Sequence, residues 1–166
     1  FRAGYAYDNL LYVVAGEVAA AAGGASYEEL MRSEVFVPLG LGCRVGAWKS
    51  AADDDVAQPH AHDSGRNFVV GADGDKVSEI TSAAAGGIRC SLDDMLRWAG
   101  NWLTPDVKQR SWLSDEQRAA TWAPHPPMPI SERRHAWDNT HAWLYAFGFR
   151  LGDVDGVWTV SHTGTL

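Results

Sequence analysis

Positive charge is scarce in this chain. Its 166 residues hold 14 Lys and Arg against 21 Asp and Glu, for a formal net charge of −7, and Arg133-Arg134 is the only adjacent basic pair. That argues against a nucleic-acid partner, which needs clustered cations to neutralise phosphates. Long apolar runs are also missing. The longest, Leu10 to Gly24, is interrupted by Glu17 and falls short of the roughly 18 to 20 residues that cross a bilayer, so no membrane span is expected. Cysteine is nearly absent as well: Cys43 and Cys90 stand 47 positions apart without metal-ligand spacing. Their pairing cannot be read from sequence, and both are taken as ordinary small core or loop residues. His60-Ala61-His62-Asp63 gathers two imidazoles and an acid, but in a loop-like setting with no further ligand at suitable spacing. No metal and no cofactor are expected. The chain opens on Phe1 without the charged, apolar and small-residue pattern of a signal segment, and it reads as a piece cut at both ends.

What is present is apolar material, 46% of the residues, enough for one domain with a core. From Asp8 to Ala22, Leu10, Leu11, Val13, Val14, Val18 and a cluster of Ala surround nearly the whole helical circumference. A helix buried on most sides follows, ended by Gly23-Gly24. Ser26 with Glu29 three residues on is a capping box for a second helix, running to Phe36 and broken by Val37-Pro38-Leu39-Gly40-Leu41. Residues 47–66 have loop composition. Asn67 to Gly71 and Lys76 to Ile80 flank Asp73-Gly74 and suggest a small hairpin. Ser91 and Asp94 start a helix through Trp98 and Trp102; Ser114 and Gln117 start a shorter one. Pro124, Pro126, Pro127 and Pro129 then forbid regular structure, and residues 133–143 give no clear pattern. Leu144 to Leu151 and Val157 to Ser161 read as two strands joined across Gly152 to Gly156.

Two short polar motifs stand out at the ends of this order. Tyr7-Asp8-Asn9 opens the first helix, and His162-Thr163-Gly164-Thr165 follows the last strand. Each is weak alone, since Tyr7 can pack as an aromatic, Asn9 can cap a helix, and His162 can face solvent at a strand end. Together with the helix pair "GYAYDNLLYVVAGEVAAAAGGASYEELMRSEVFVPLGL" and the Gly-Gly turn and helix "AAAGGIRCSLDDMLRWAGNWL", the chain resembles the penicillin-recognising serine hydrolases. That family includes class C β-lactamases, D-Ala-D-Ala carboxypeptidases, D-aminopeptidases and esterases, with a motif set of Ser-x-x-Lys, a Tyr-x-Asn or Ser-x-Asn element and Lys-Thr-Gly.

The resemblance implies an α/β (α+β) fold of the β-lactamase/transpeptidase type, present in part: antiparallel strands with packed helices and a helical subdomain, residues 1–166 forming a single partial domain. It implies that Tyr7 acts as proton acceptor and relay, and that Asn9 hydrogen-bonds substrate or the family's Lys. A phenol is a poor base at neutral pH unless nearby cations stabilise its anion. The resemblance also makes His162 the counterpart of the Lys in Lys-Thr-Gly, as in branches nearer the D-aminopeptidases and esterases than the β-lactamases. Thr163, Gly164 and Thr165 would line the substrate. The implied activity is hydrolysis of an amide, ester or β-lactam through an acyl-enzyme, on a small molecule or peptide, in the periplasm or outside the cell. No Ser in the chain is followed by Lys at the third position, so the nucleophile's motif is missing. A non-catalytic ligand-binding member of the same fold is the competing expectation.

Overall fold

A computed structural model describes residues 4–45, 60–69 and 83–164. The chain divides into two compact units, one of Phe1–Asp8 with Leu96–Leu166 and one of Asn9–Met95.

The Asn9–Met95 unit begins with α1 (Asn9–Gly23), ended by Gly24 in the left-handed region at φ 67°, as the Gly-Gly signal requires. The expected all-round burial is not found. Leu10, Leu11 and Val18 are each about two-thirds exposed, and Gly16 is the helix's one buried residue. There a Cβ would come within 2.6 Å of the Ala84 Cβ, so the helix is covered closely along one line and left open elsewhere. The second helical stretch starts on the expected capping box. The Glu29 N–H donates to Ser26 Oγ at 3.2 Å, and the Ser26 hydroxyl and N–H donate to the Glu29 carboxylate at 2.8 and 3.1 Å. Those two bonds hold the Glu29 carboxyl below its ordinary range. The stretch runs as α2 (Tyr27–Leu30), a π-helical segment (Met31–Phe36) and α3 (Val37–Leu39). It ends inside the expected break from Val37 to Leu41: Pro38 forfeits only its own N–H bond, so the helix runs on to Leu39 and the left-handed Gly40 ends it, with Leu41 N–H donating to Phe36 O at 2.8 Å.

Beyond it, β1 (Arg44–Val45) pairs antiparallel with β4 (Ile88–Arg89). Because Arg44 faces Arg89, the next pair outward is Cys43 and Cys90, which form a disulfide with Cα atoms 4.3 Å apart. The cysteines are thus a covalent staple and not ordinary core residues; the register that joins them arises from strands two residues long, which leave no sequence pattern. A second correction concerns residues 60–66, expected as loop. They belong to a hairpin of β2 (His60–Asp63) and β3 (Arg66–Val69), turned by Ser64-Gly65 with φ 49° and 79°, both positive as a tight hairpin turn demands. His62 Nδ1–H donates to Asn67 Oδ1 at 2.7 Å across it. The hairpin expected around Asp73-Gly74 lies outside the described residues. The helix α4 (Leu92–Leu103) begins where expected, Ser91 Oγ accepting from Asp94 N–H at 3.1 Å and donating to Asp94 Oδ2 at 2.8 Å.

In the other unit, α5 (Val107–Trp112) and α6 (Asp115–Thr121) each carry a full capping box, Asp106 with Gln109 and Ser114 with Gln117. Buried Arg118 ties them to α4. Its Nη1 donates to Asn101 O at 2.6 Å, Nη2 to Gln109 O and Asn101 Oδ1 at 2.7 and 3.0 Å, and Nε to Leu113 O at 3.0 Å. One guanidinium therefore satisfies carbonyls at the C-terminal ends of two helices, flanked by the Trp102 and Trp112 rings. Trp102 also stacks on Trp122 at 5.4 Å and meets Phe149 edge-on.

A three-stranded antiparallel sheet, β5-β6-β7, completes the unit: β5 (Ala142–Tyr145), β6 (Arg150–Val154) and β7 (Val157–Ser161). The expected single strand from Leu144 to Leu151 is instead two, because Gly148 turns the chain at φ 73° and Ala146 N–H bonds Phe149 O. The expected connection from Gly152 to Gly156 shrinks to Asp155-Gly156, at φ 49° and 77°. Gly152 is part of β6, where any Cβ would sit 2.1 Å from Trp143 of the facing strand. The proline-rich segment is more ordered than expected. His125 and Met128 donate to Tyr145 O and Trp143 O at 2.8 and 2.7 Å, leaving the prolines at positions that need no donor along the outer edge of β5. The stretch without a sequence pattern contains α7 (Glu132–Asp138), capped by Ser131, with Arg134 stacked 4.2 Å over Trp143.

Candidate functional site

Antiparallel register sets Tyr145, Arg150 and Ser161 opposite one another on β5, β6 and β7. Residues directly opposite share a face, so an aromatic, a guanidinium and a hydroxyl form one row, and the chain leaves that row at Ser161 to enter His162-Thr163-Gly164. Side chains of two neighbouring strands then hold the motif. The Tyr145 hydroxyl lies 3.3 Å from His162 Nε2, and Arg150 Nη1 donates to Thr163 Oγ1.

The N-terminal segment brings the third partner. Tyr7 lies with its ring 6.0 Å from that of His162 and 6.5 Å from that of Tyr145, and the Arg150 guanidinium carbon is 5.9 Å from the Tyr7 ring centre. Tyr5 backs the group, 5.2 Å from Tyr145 and 6.4 Å from Tyr7, with its hydroxyl buried. Tyr7 is 44% exposed and His162 and Thr163 are exposed. A ligand can therefore reach the phenol, the imidazole and the hydroxyl together.

Of the residues singled out from sequence, Tyr7, His162 and Thr163 meet here. Gly164 follows them, exposed, with open space where a Cβ would be. Asn9 is the first residue of α1, in the Asn9–Met95 unit. Thr165 lies outside the described residues. Arg150, Tyr145 and Tyr5 were not singled out. Counting outward from the Asp155-Gly156 turn signal would have set Arg150 opposite Ser161, but a strand drawn from Leu144 to Leu151 hides that count. Among the described residues no three His, Cys, Asp or Glu side chains cluster as metal ligands, and His60 and His62 stand on the β2–β3 hairpin.

Chemically, the cluster joins one permanent cation to the hydroxyls of Tyr7, Tyr145 and Thr163 and an imidazole. A guanidinium has five N–H donors, of which the bond to Thr163 uses one. Such a set suits an oxyanion, above all a carboxylate, which accepts charge-assisted bonds from Arg and a hydroxyl together.

Comparison with known proteins bears on the family and the fold. The family model described as Beta-lactamase matches residues 1–166. D-alanyl-D-alanine-carboxypeptidase/endopeptidase AmpH of Escherichia coli (strain K12) is 28% identical over 115 residues, which are 68% of this chain and 27% of that protein. The octameric penicillin-binding protein homologue from Pyrococcus abyssi superposes with a TM-score of 0.74 at 22% identity, over 97% of this chain and 33% of its own. The D-amino acid amidase from Ochrobactrum anthropi SV3, complexed with D-phenylalanine, superposes at 0.67 and 22% identity, over 98% of this chain and 45% of its own. The chain thus spans between a quarter and a half of the length of these proteins. Its mixture of helices and antiparallel strands is the β-lactamase/transpeptidase-like fold, and with the family's pattern matched from the first residue to the last, the chain belongs to the beta-lactamase family.

Proposed function

We propose that this chain is part of a serine hydrolase whose substrate ends in a free carboxylate, an acyl peptide of the D-Ala-D-Ala kind, cleaved through an acyl-enzyme. The observation that carries the reading is the bond between Arg150 and Thr163 beside Tyr7 and His162. Arg150 and Thr163 bind the carboxylate; His162 contributes a further polar contact; Gly164 lets the substrate lie against the end of β7; Tyr7 relays the proton of the nucleophilic serine. The serine itself belongs to sequence outside these 166 residues, none of whose serines has the Ser-x-x-Lys spacing. The role of Asn9 rests on the Tyr-x-Asn motif alone. Where the β-lactamase pattern has Lys, this chain has His162, and Arg150 takes over as the fixed cation, which favours a peptidase or amidase reading over a specific β-lactamase.

The test uses the intact protein and two substrates, an acyl-D-Ala-D-Ala peptide and its C-terminal carboxamide. Hydrogen bonds to charged groups contribute about 1.5–3 kcal/mol, so Arg150→Met lowers kcat/KM for the carboxylate about 10- to 150-fold and leaves the carboxamide within about twofold. Equal losses on both substrates would contradict carboxylate recognition. Binding without turnover in the intact protein would favour the non-catalytic reading.

A further inference from the structure

We infer that Tyr145 is a positioning residue for His162: its hydroxyl engages Nε2, fixes the imidazole in the Nδ1–H tautomer, and leaves Nδ1–H as the donor that meets the substrate. Three observations lead there. The first is the contact itself, 3.3 Å between the Tyr145 hydroxyl and His162 Nε2. The second is the origin of the two groups. Tyr145 is anchored in β5, its N–H donating to Pro126 O at 3.1 Å and its carbonyl accepting from His125 at 2.8 Å, and its ring is wedged against Tyr5 at 5.2 Å. His162 lies just past the end of β7, where backbone pairing no longer fixes it. A rigid partner thus reaches a loosely held one. The third is the ring geometry: Tyr145 meets the imidazole edge-on at 6.2 Å while Tyr7 lies tilted at 6.0 Å, so aromatic groups contact the ring from two directions and restrict its rotation.

The direction of the proton follows from the chemistry of the pair. A phenol O–H is a better donor than the N–H of a neutral imidazole, and the bare imidazole nitrogen is a better acceptor than a phenol oxygen. The bond therefore runs from Tyr145 to Nε2, and the ring's own proton goes to Nδ1. That tautomer makes His162 a neutral donor toward a substrate oxygen and not a base, complementing the permanent cation that Arg150 supplies at the next residue. A hydrogen bond at one imidazole nitrogen setting the role of the other is a general device.

The inference concerns the site of the proposed function, but its test needs no turnover and so fails or succeeds apart from that proposal. Two-bond ¹H–¹⁵N correlation spectra of the ¹⁵N-labelled chain, at about pH 8 where imidazoles are neutral, assign the tautomer of His162. The expected spectrum has the protonated-type shift on Nδ1 and the bare-type shift on Nε2. Tyr145→Phe, which keeps the ring and removes the hydroxyl, moves the population toward Nε2–H, whereas Tyr7→Phe leaves it in place. A predominantly Nε2–H ring in the unmutated chain overturns the inference without reference to any variant, and so does an Nδ1–H ring that Tyr145→Phe fails to shift.

Discussion

Replacing Arg118 by Met tests how the Leu96–Leu166 unit is held together. Arg118 is 6% exposed and donates to Asn101 O, Gln109 O, Leu113 O and the Asn101 side chain. Met has similar length and keeps much of the packing against Trp102 and Trp112, so the change isolates the donors. Three carbonyls at helix ends lose a donor at once, Gln109 O keeping only the Leu113 N–H. Each bond to a charged group contributes about 1.5–3 kcal/mol, but one guanidinium making four is not four independent contributions. Loss of the contacts with the Trp faces adds about 0.5–2 kcal/mol. Allowing for water to reach some of the freed carbonyls, the net loss is about 3 kcal/mol, within the range for a broken buried network. At about 2–4 °C per kcal/mol for a chain of this size, Tm falls by about 6–12 °C, read by tryptophan fluorescence because Trp98, Trp102, Trp112 and Trp122 surround the network. Arg118→Lys keeps the charge but lacks the planar fork, and recovers less than half. A drop under about 3 °C for Arg118→Met would refute the view that this side chain caps two helices.

Three further outcomes are expected. The isolated 166 residues neither hydrolyse p-nitrophenyl esters or nitrocefin above a protein blank nor take up a fluorophosphonate or penicillin probe, because the Ser-x-x-Lys element is not among them and losses in a coupled site are near-total; stoichiometric labelling of any residue here would place the nucleophile inside the chain. Reducing Cys43–Cys90, which closes a loop of 47 residues, lowers unfolding free energy by about 4 kcal/mol in the chain-entropy account, seen as a lower urea midpoint with reductant present; an unchanged midpoint contradicts a stabilising staple. Gly152→Ala drives a methyl into the Trp143 ring and costs about 1–3 kcal/mol, with Trp143 emission shifting as the ring is displaced; a neutral substitution would mean that β5 and β6 are not in this register.

Local chemistry made much of the fold legible. Ser26 with Glu29, Ser91 with Asp94 and Ser114 with Gln117 satisfy helix-end donors within three residues of sequence, so those starts could be read directly, and the structure has them. What depended on distant partners could not. The Cys43–Cys90 bond comes from strands too short to show a period, and Arg118 looks like any helix-surface cation until Asn101 and Leu113 surround it. α1 shows the opposite failure. Its composition demands cover on every side, yet the described residues supply it mainly near Gly16, so a pattern that measures the need for burial does not say what fulfils it. At the site, Tyr7, His162 and Thr163 were legible because each sits in a short motif. Arg150 and Tyr145 were not, since each gains its meaning only from cross-strand register 13 and 17 residues from its partner.

Carboxylate recognition by Arg150 and Thr163 is the central claim, and a ligand titration of the chain itself tests it most directly. N-acetyl-D-Ala-D-Ala and its C-terminal carboxamide are added in turn to the ¹⁵N-labelled chain while the resonances of Tyr7, Arg150, His162 and Thr163 are followed. The account predicts saturable shifts at these four residues with the carboxylate, shifts at least tenfold weaker in affinity with the carboxamide, and loss of the difference in Arg150→Met. Equal binding of the two ligands, or carboxylate binding that Arg150→Met leaves intact, would contradict it.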